Sequence, residues 1–265
     1  MANIGTNLSD LAMKSYNDTI FVPQRAKKIY DLYAKVETLF SFIRQYHCIN
    51  DSSISTDDEI VNWTFNDVID DLNAAIWNNA TGFYKTSGVC LRNALEMSIV
   101  SLYFQLRENE NIDEGNYYTY FVEWDRGDKE TPNWGTTKDY ISKQNYVKNF
   151  DNQYSCKIID EVYRHFKYLC NFTHGRPFAP EDKSPTNSMN MSTNQPNFSE
   201  TEFERFCSLI NDTISWISMA WLVNFPQILS DKSPHEPVDS TVYNKYLTLF
   251  HLPRGIQVVE YSSKQ

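Results

Sequence analysis

The stretch PQRAKKIYDLYAKVETLFSFIRQYH, residues 23–47, sets the fold class. Its apolar residues Ile29, Leu32, Val36, Leu39, Ile43 and Tyr46 recur at steps of three and four. A helix turns 100° per residue, so this spacing keeps all six on one stripe, whereas a half-buried strand would need strict alternation. Pro23 suits the first helical position, where no backbone N–H is required. The spacing therefore predicts a helix from Pro23 to about His47.

Outward from it, the same pattern repeats. Polar CINDSSISTDDE (48–59) reads as a loop, followed by helices over roughly 66–79 and 83–107 joined through Gly82. Leu91, Leu95, Ile99, Leu102 and Leu106 form the stripe of the second of these. A further helix is expected over 156–174, with Ile158, Val162, Phe166, Leu169 and Thr173 as its buried face, Ile159 and Cys170 beside them, and Gly175 and Pro177 as its stop. Ser199 and Glu202 form an S-x-x-E capping box that opens a last long helix, closed by Pro226. These elements predict an all-α bundle of about five main helices in a single domain, 1–265. Residues 108–155 read as an irregular insertion, in which Thr136 or Thr137 caps a short helix to about Val147. The Pro-, Ser- and Asn-rich segment 176–198 reads as a mobile loop, and IQVVEY (256–261) as a strand.

Charge and cysteine usage narrow the function. The formal net charge is −10, with 34 acidic against 24 basic residues, which opposes non-specific adhesion to nucleic acid. Any RNA or DNA contact must then use a local basic patch. The opening MANIGTNLSDLAMK lacks the basic region and apolar core of a signal peptide. ISWISMAWLVNF (214–225) is too short for a membrane span and reads as a buried helix. Five cysteines without a C-x-x-C pair argue against a disulfide framework or a zinc site and point to a reducing cytoplasm. No Gly-rich phosphate loop, H-E-x-x-H or nucleophile elbow is present, and His47, His165, His235 and His251 lack metal-like spacing. His165 reads as a core-edge residue.

Two constellations carry chemistry. Lys167, Asn171 and His174 are spaced i, i+4, i+7, so they neighbour one another on a flank of the 156–174 helix. A histidine in a last turn interacts favourably with the helix dipole, which is one account of His174. In the other, the same dipole brings its pKa toward neutrality for proton transfer, and Lys167 and Asn171 hold a phosphate or carbonyl. The second constellation is Arg92 with Glu96, at i, i+4 on the margin of the Leu95 face. Either the pair pins two helices together or its Arg faces a cleft. If the pair is dry, Glu96→Ala strands a buried guanidinium and costs ~3–5 kcal/mol.

A helix carrying Leu91-Arg92-Asn93-Ala94-Leu95-Glu96, followed much later by one ending Tyr168-Leu169-Cys170-Asn171-Phe172-Thr173-His174-Gly175, resembles the HEPN superfamily. The likeness covers about residues 66–107 and 156–225, with the insertion and both ends outside it. It implies an α-helical bundle that commonly dimerises. Many such proteins are metal-independent ribonucleases of toxin–antitoxin, abortive-infection and other anti-phage systems; others are non-catalytic. The family signature is an Arg, then four to six residues, then the His. Here Lys167, Tyr168 and Leu169 occupy that window, and Arg164 lies too far upstream, so the motif is degenerate. For an RNA-cleaving member the resemblance implies His174 as base or acid, Lys167 or Arg92 as the cation, and Asn171 as an orienting donor. Glu96 and Tyr168 would be supports, with no cofactor and no metal. The expected partners are a second copy or a defence-system protein, with RNA as a possible ligand and no membrane. The alternative is a non-catalytic sensor or interaction subunit of a defence complex.

Overall fold

Helical periodicity without a single strand-like alternation in the described regions builds nine α-helices in a computed structural model that describes residues 4–49, 57–109, 114–174 and 198–225. In chain order they are α1 (Ile4–Ile20), α2 (Pro23–Ile49), α3 (Asp57–Ala80), α4 (Tyr84–Asn109), α5 (Glu114–Asp125), α6 (Trp134–Ile141), α7 (Asn145–Tyr154), α8 (Ile158–His174) and α9 (Glu200–Asn224). The all-α expectation holds among the described residues. Five of the nine correspond to the expected long helices. The remaining four are α1, ahead of Pro23, and α5, α6 and α7, which occupy the stretch expected to be irregular. Helices α2 and α3 also extend into the polar 48–59 stretch. The 176–198 segment, apart from Phe198, and the expected 256–261 strand lie outside the described residues.

Burial follows the stripes. Ile29, Leu32, Val36, Leu39 and Ile43 of α2 and all five stripe residues of α4 are buried. On α8, Ile158, Ile159, Val162, Phe166 and Leu169 are buried, whereas Thr173 is exposed because it lies in the last turn. Helix α9 runs through the middle of the bundle, packed against α2, α3, α4, α7 and α8. Among the described residues it alone is long and apolar enough to cross a membrane, and 83% of its apolar window is buried inside the protein. Its few polar groups there are paired: the Trp221 indole donates to Ser98 Oγ (3.0 Å), and Ser218 Oγ donates to the Ile214 carbonyl (2.7 Å). A buried donor left without an acceptor would forfeit roughly 1–3 kcal/mol, so the Trp221–Ser98 bond, which crosses between the helices, helps fix the register of α9 against α4.

Caps define the helix ends. Ser199 Oγ accepts from the Glu202 amide (3.4 Å), one half of the expected S-x-x-E box, while the Ser199 N–H donates to Tyr84 Oη (3.0 Å). At α6 the cap is Asn133, whose Oδ1 accepts from the Thr136 amide (2.9 Å), rather than Thr136 or Thr137. Thr136 is thereby the donor of the capping bond, and Thr137 is buried in the first turn with its hydroxyl on the Trp134 carbonyl (3.0 Å). The α3–α4 turn needs a positive φ at Gly82 (80°), where glycine carries no Cβ penalty. That turn folds α3 back along α4 as an antiparallel hairpin.

Helix α8 lies against α4 with Gly88 facing Phe172 and Arg92 facing Phe166, so the two run antiparallel. The start of α4 thus sits at the end of α8, the end that carries His174.

Candidate functional site

The outer flank of α8 is an aromatic ledge bordered by cations. Trp134, the first residue of α6, lies flat on Phe166 (centroids 4.2 Å, 6°) and stacks more loosely on Tyr163 (5.6 Å, 18°). Lys167 Nζ lies 4.5 Å from the Tyr163 centroid and Lys138 Nζ 5.2 Å from it. Arg92 reaches the same cluster from α4, its Cζ 5.3 Å from the Phe166 ring. Each cation meets the negative face of a ring, an attraction of about 0.5–1 kcal/mol when exposed. Lys138 is also held by Asp160 Oδ1 (2.7 Å), an ion pair that raises its ammonium pKa.

Arg92 is firmly engaged. Its two terminal nitrogens meet both oxygens of Glu96 (2.7 and 3.0 Å), and Nη1 donates to Asn93 Oδ1 (3.1 Å). The Arg92 and Glu96 side chains are 26% and 28% exposed, so the pair is not dry. Burial still pushes the Glu96 carboxyl above its usual range, with Arg92 opposing that rise. Solvent screening reduces the worth of a partly exposed pair, and we expect Glu96→Ala to lower stability by about 1 kcal/mol. Chemical denaturation checks this; a loss several-fold larger would mean that the pair is dry in solution.

Position 174 ends α8 and falls on the same helix face as Lys167, seven residues earlier. The His174 side chain lies outside the described residues. Asn171 is half-buried on that flank and Lys167 is exposed. Arg92 stands against Phe166, eight residues before His174, about 12 Å along the axis at 1.5 Å per residue. The structure therefore joins Arg92 and Lys167 through one aromatic cluster and places Arg92 two turns from position 174. Tyr168 faces another way: its hydroxyl accepts from Arg205 Nη2 (2.7 Å), and its ring meets Phe172 edge-on. Arg205 in turn lies 3.6 Å from the buried carboxylate of Glu202.

His165 is half-buried at the edge of the core, as expected. Thr213 Oγ1 donates to the Leu209 carbonyl (2.9 Å), so His165 Nε2, 2.8 Å from that hydroxyl, is the donor to it. Burial pushes its imidazole down to about 4, which keeps it neutral near pH 7 and unsuited to proton transfer there. The thiols are also held in the neutral form, Cys156 pushed up to about 11 and Cys207 to about 12 by burial. Neither is a nucleophile under those conditions. Among the described residues no group of three His, Cys, Asp or Glu is arranged to hold a metal ion.

On the other side of α4, a cleft of about 460 Å³ separates it from α3, lined by Asp67, Asp70, Asp71, Ala74, Asn93, Glu96 and Met97. Burial first, and then the like charges of Asp67 and Asp70, raise Asp71 to about 6. A carboxyl whose folded pKa lies above its unfolded value stabilises the fold below the unfolded pKa, and that contribution is lost as pH rises through the folded one. The window is therefore about pH 4 to 6. We expect Asp71→Asn to raise the thermal midpoint relative to wild type above pH 6, with the difference fading toward pH 4. A difference independent of pH would show that Asp71 titrates normally.

Trp134, Lys138, Tyr163 and Arg205 were not among the residues singled out from the sequence. Tyr163 carried a local signal, since it precedes Lys167 by four residues on one helix face. The others come from segments distant in sequence and are brought to α8 by the packing of α6 and α9.

Together these features define an all-α protein whose long helix α8 exposes Lys167 beside a half-buried aromatic cluster and ends in a histidine. Comparison with protein-family models, curated proteins and solved structures finds no match.

Proposed function

We propose that this chain is a HEPN-type defence protein that acts on RNA without a metal, as a ribonuclease of an anti-phage or toxin–antitoxin system in the cytoplasm. The observation that supports the reading is the clustering of Arg92, Lys138 and Lys167 around Trp134, Tyr163 and Phe166 on the helix that ends at His174. In a chain of net charge −10, a nucleic-acid contact needs a local cation, which the exposed Lys167 supplies beside Tyr163, while Arg92 and Lys138 are held by Glu96 and Asp160. In the reaction a base takes the ribose 2′-OH proton, and the 2′-oxygen attacks the adjacent phosphorus. The 5′-oxygen leaves with a proton, giving a 2′,3′-cyclic phosphate and a 5′-hydroxyl. His174 serves as base or acid, Lys167 stabilises the charge on the phosphorane, and Asn171 orients the phosphate. Arg92, committed to Glu96 and Asn93, positions Phe166 beneath Trp134, and Tyr168 supports the helix through Arg205. A second copy of the chain or a defence-system protein is the expected partner.

The acidic α3–α4 cleft supports a second reading, a non-catalytic sensor or interaction subunit, because that surface repels nucleic acid and suits a basic partner. Incubating RNA with the purified protein in the presence of a chelator separates the two. Fragments ending in cyclic phosphate are expected from the first reading. No cleavage, alone or with its natural partners, would leave the second.

A further inference from the structure

A second cleft, of about 490 Å³, opens where α6, α7 and α8 meet. Three elements each supply it with a lysine: Lys138 from α6, Lys148 from α7 and Lys157 just before α8. Three aspartates also line it, and their commitments decide what the cleft can hold. Asp151 is buried and closes the start of α8, its Oδ1 accepting from the Ile158 amide (2.8 Å). Asp160 is paired with Lys138 (2.7 Å). Asp139 is exposed. Lys148 and Lys157 are exposed too, Lys157 Nζ standing 4.0 Å from Asp151 Oδ2, at the limit of an ion pair. Ser142 and Asn152 add neutral polar groups.

The cleft is continuous with the aromatic ledge, because Lys138 lines the one and lies over Tyr163 in the other, where Lys167 joins it. From Lys157 to position 174 is seventeen residues, about 25 Å along α8, enough for several nucleotides. Asp160, Tyr163, Lys167, Asn171 and position 174 follow one another at three- and four-residue steps along its outer face. That face carries an aromatic ring midway with the exposed Lys167 beside it, and at its far end the polar cleft, where Asp160 is held by Lys138 and Lys148 and Lys157 are exposed.

We propose that the α6–α7–α8 cleft binds backbone phosphates of a single-stranded RNA laid along the outer face of α8, holding the strand so that it runs toward His174. This rests on the RNA-directed reading above. An unpaired strand can bend to bring successive phosphates to Lys148 and Lys157 in the cleft and to Lys167 beside Tyr163, a path that a rigid duplex cannot follow. Each phosphate contact by a lysine contributes about −0.7 to the slope of log affinity against log salt for a single strand.

The test is fluorescence anisotropy with a 5′-labelled mixed-sequence 15-mer RNA, single-stranded or annealed, titrated at several salt concentrations. Lys148→Ala/Lys157→Ala is expected to weaken single-strand binding about tenfold at low salt and to flatten the salt slope by about 1.4, from two lost contacts. The duplex should bind more weakly than the single strand. Lys14→Ala/Lys27→Ala changes the net charge equally at exposed positions of α1 and α2 and should leave the slope unchanged. An unaltered slope in the cleft variant, with wild type binding RNA, would overturn the cleft assignment and leave the RNA reading standing. So would an equal loss in both double variants, which marks a general charge effect. Wild-type protein that neither binds nor cleaves RNA would remove both the cleft assignment and the reading beneath it. Because Lys148 and Lys157 are exposed, circular dichroism and thermal melting should match wild type in every variant.

Discussion

Replacing His174 by alanine is expected, on the proposed ribonuclease reading, to lower RNA cleavage and cell toxicity by about 10²–10⁴-fold, the usual contribution of a general acid–base group. The fold should be untouched, since position 174 is the last residue of α8 and the α8 core is built by Ile158, Val162, Phe166, Leu169 and Phe172. His165 cannot substitute, because burial holds it near 4 and its Nε2 is bound to Thr213. His174→Ala should still bind the labelled single strand, because the proposed phosphate contacts lie on Lys148, Lys157 and Lys167. Cleavage undiminished in the mutant would remove His174 from the chemistry. Loss of binding together with cleavage would recast it as a binding residue. Lys167→Ala provides the companion measurement, with kcat falling more than KM rises if the ammonium acts mainly on the transition state.

Gly88→Ala should destabilise the protein, although alanine is the better helix former by about 1 kcal/mol. A Cβ built at Gly88 would stand 2.4 Å from Phe172 Cγ and within 2.8 Å of both Cδ atoms. Phe172 cannot retreat easily, being 1% exposed and held edge-on against Phe206 at 5.4 Å. Overpacking of this kind costs about 1–3 kcal/mol and sometimes more, so the clash outweighs the propensity gain. We expect a net loss of about 2 kcal/mol and a Tm lower by about 4–8 °C. A smaller residue at position 172 should recover part of it. Gly88→Ala/Phe172→Leu is then more stable than the sum of the two single changes, a coupling that a double-mutant cycle reads directly. A Gly88→Ala protein more stable than wild type would mean that α4 and α8 do not approach as described. The consequence for function is indirect but specific, because this contact sets the start of α4 against the end of α8 that carries His174.

What could be read along the chain was whatever repeats locally. The three-and-four spacing of Ile29 to Ile43 and of Leu91 to Leu106 needs only the helix period, and the tertiary structure buries these residues as that period requires. The Ser199–Glu202 box and the stop at Pro226 likewise depend on backbone groups within a few residues of each other. Lys167, Asn171 and His174 share a flank of α8 for the same reason. Other features have partners far away in sequence. Helix α1 has Leu8, Leu11 and Ile20 among Asn, Ser and Thr, and its place is set by Thr19 donating to the Ala80 carbonyl and by Tyr16 meeting Trp77. The α6 cap is an exception, local and yet misassigned, because Asn133, three residues before Thr136, is the side chain that reaches the free amide. Arg92 was open to two roles until its surroundings were defined, and Phe166 on α8 together with Glu96 on its own helix engages it. Lys138 reaches Tyr163 and the polar cleft only through the packing of Trp134 on Phe166. Periodicity fixes which face of a helix is buried; which side chains meet across helices is decided by three-dimensional packing, where contacts span more than a hundred residues of chain.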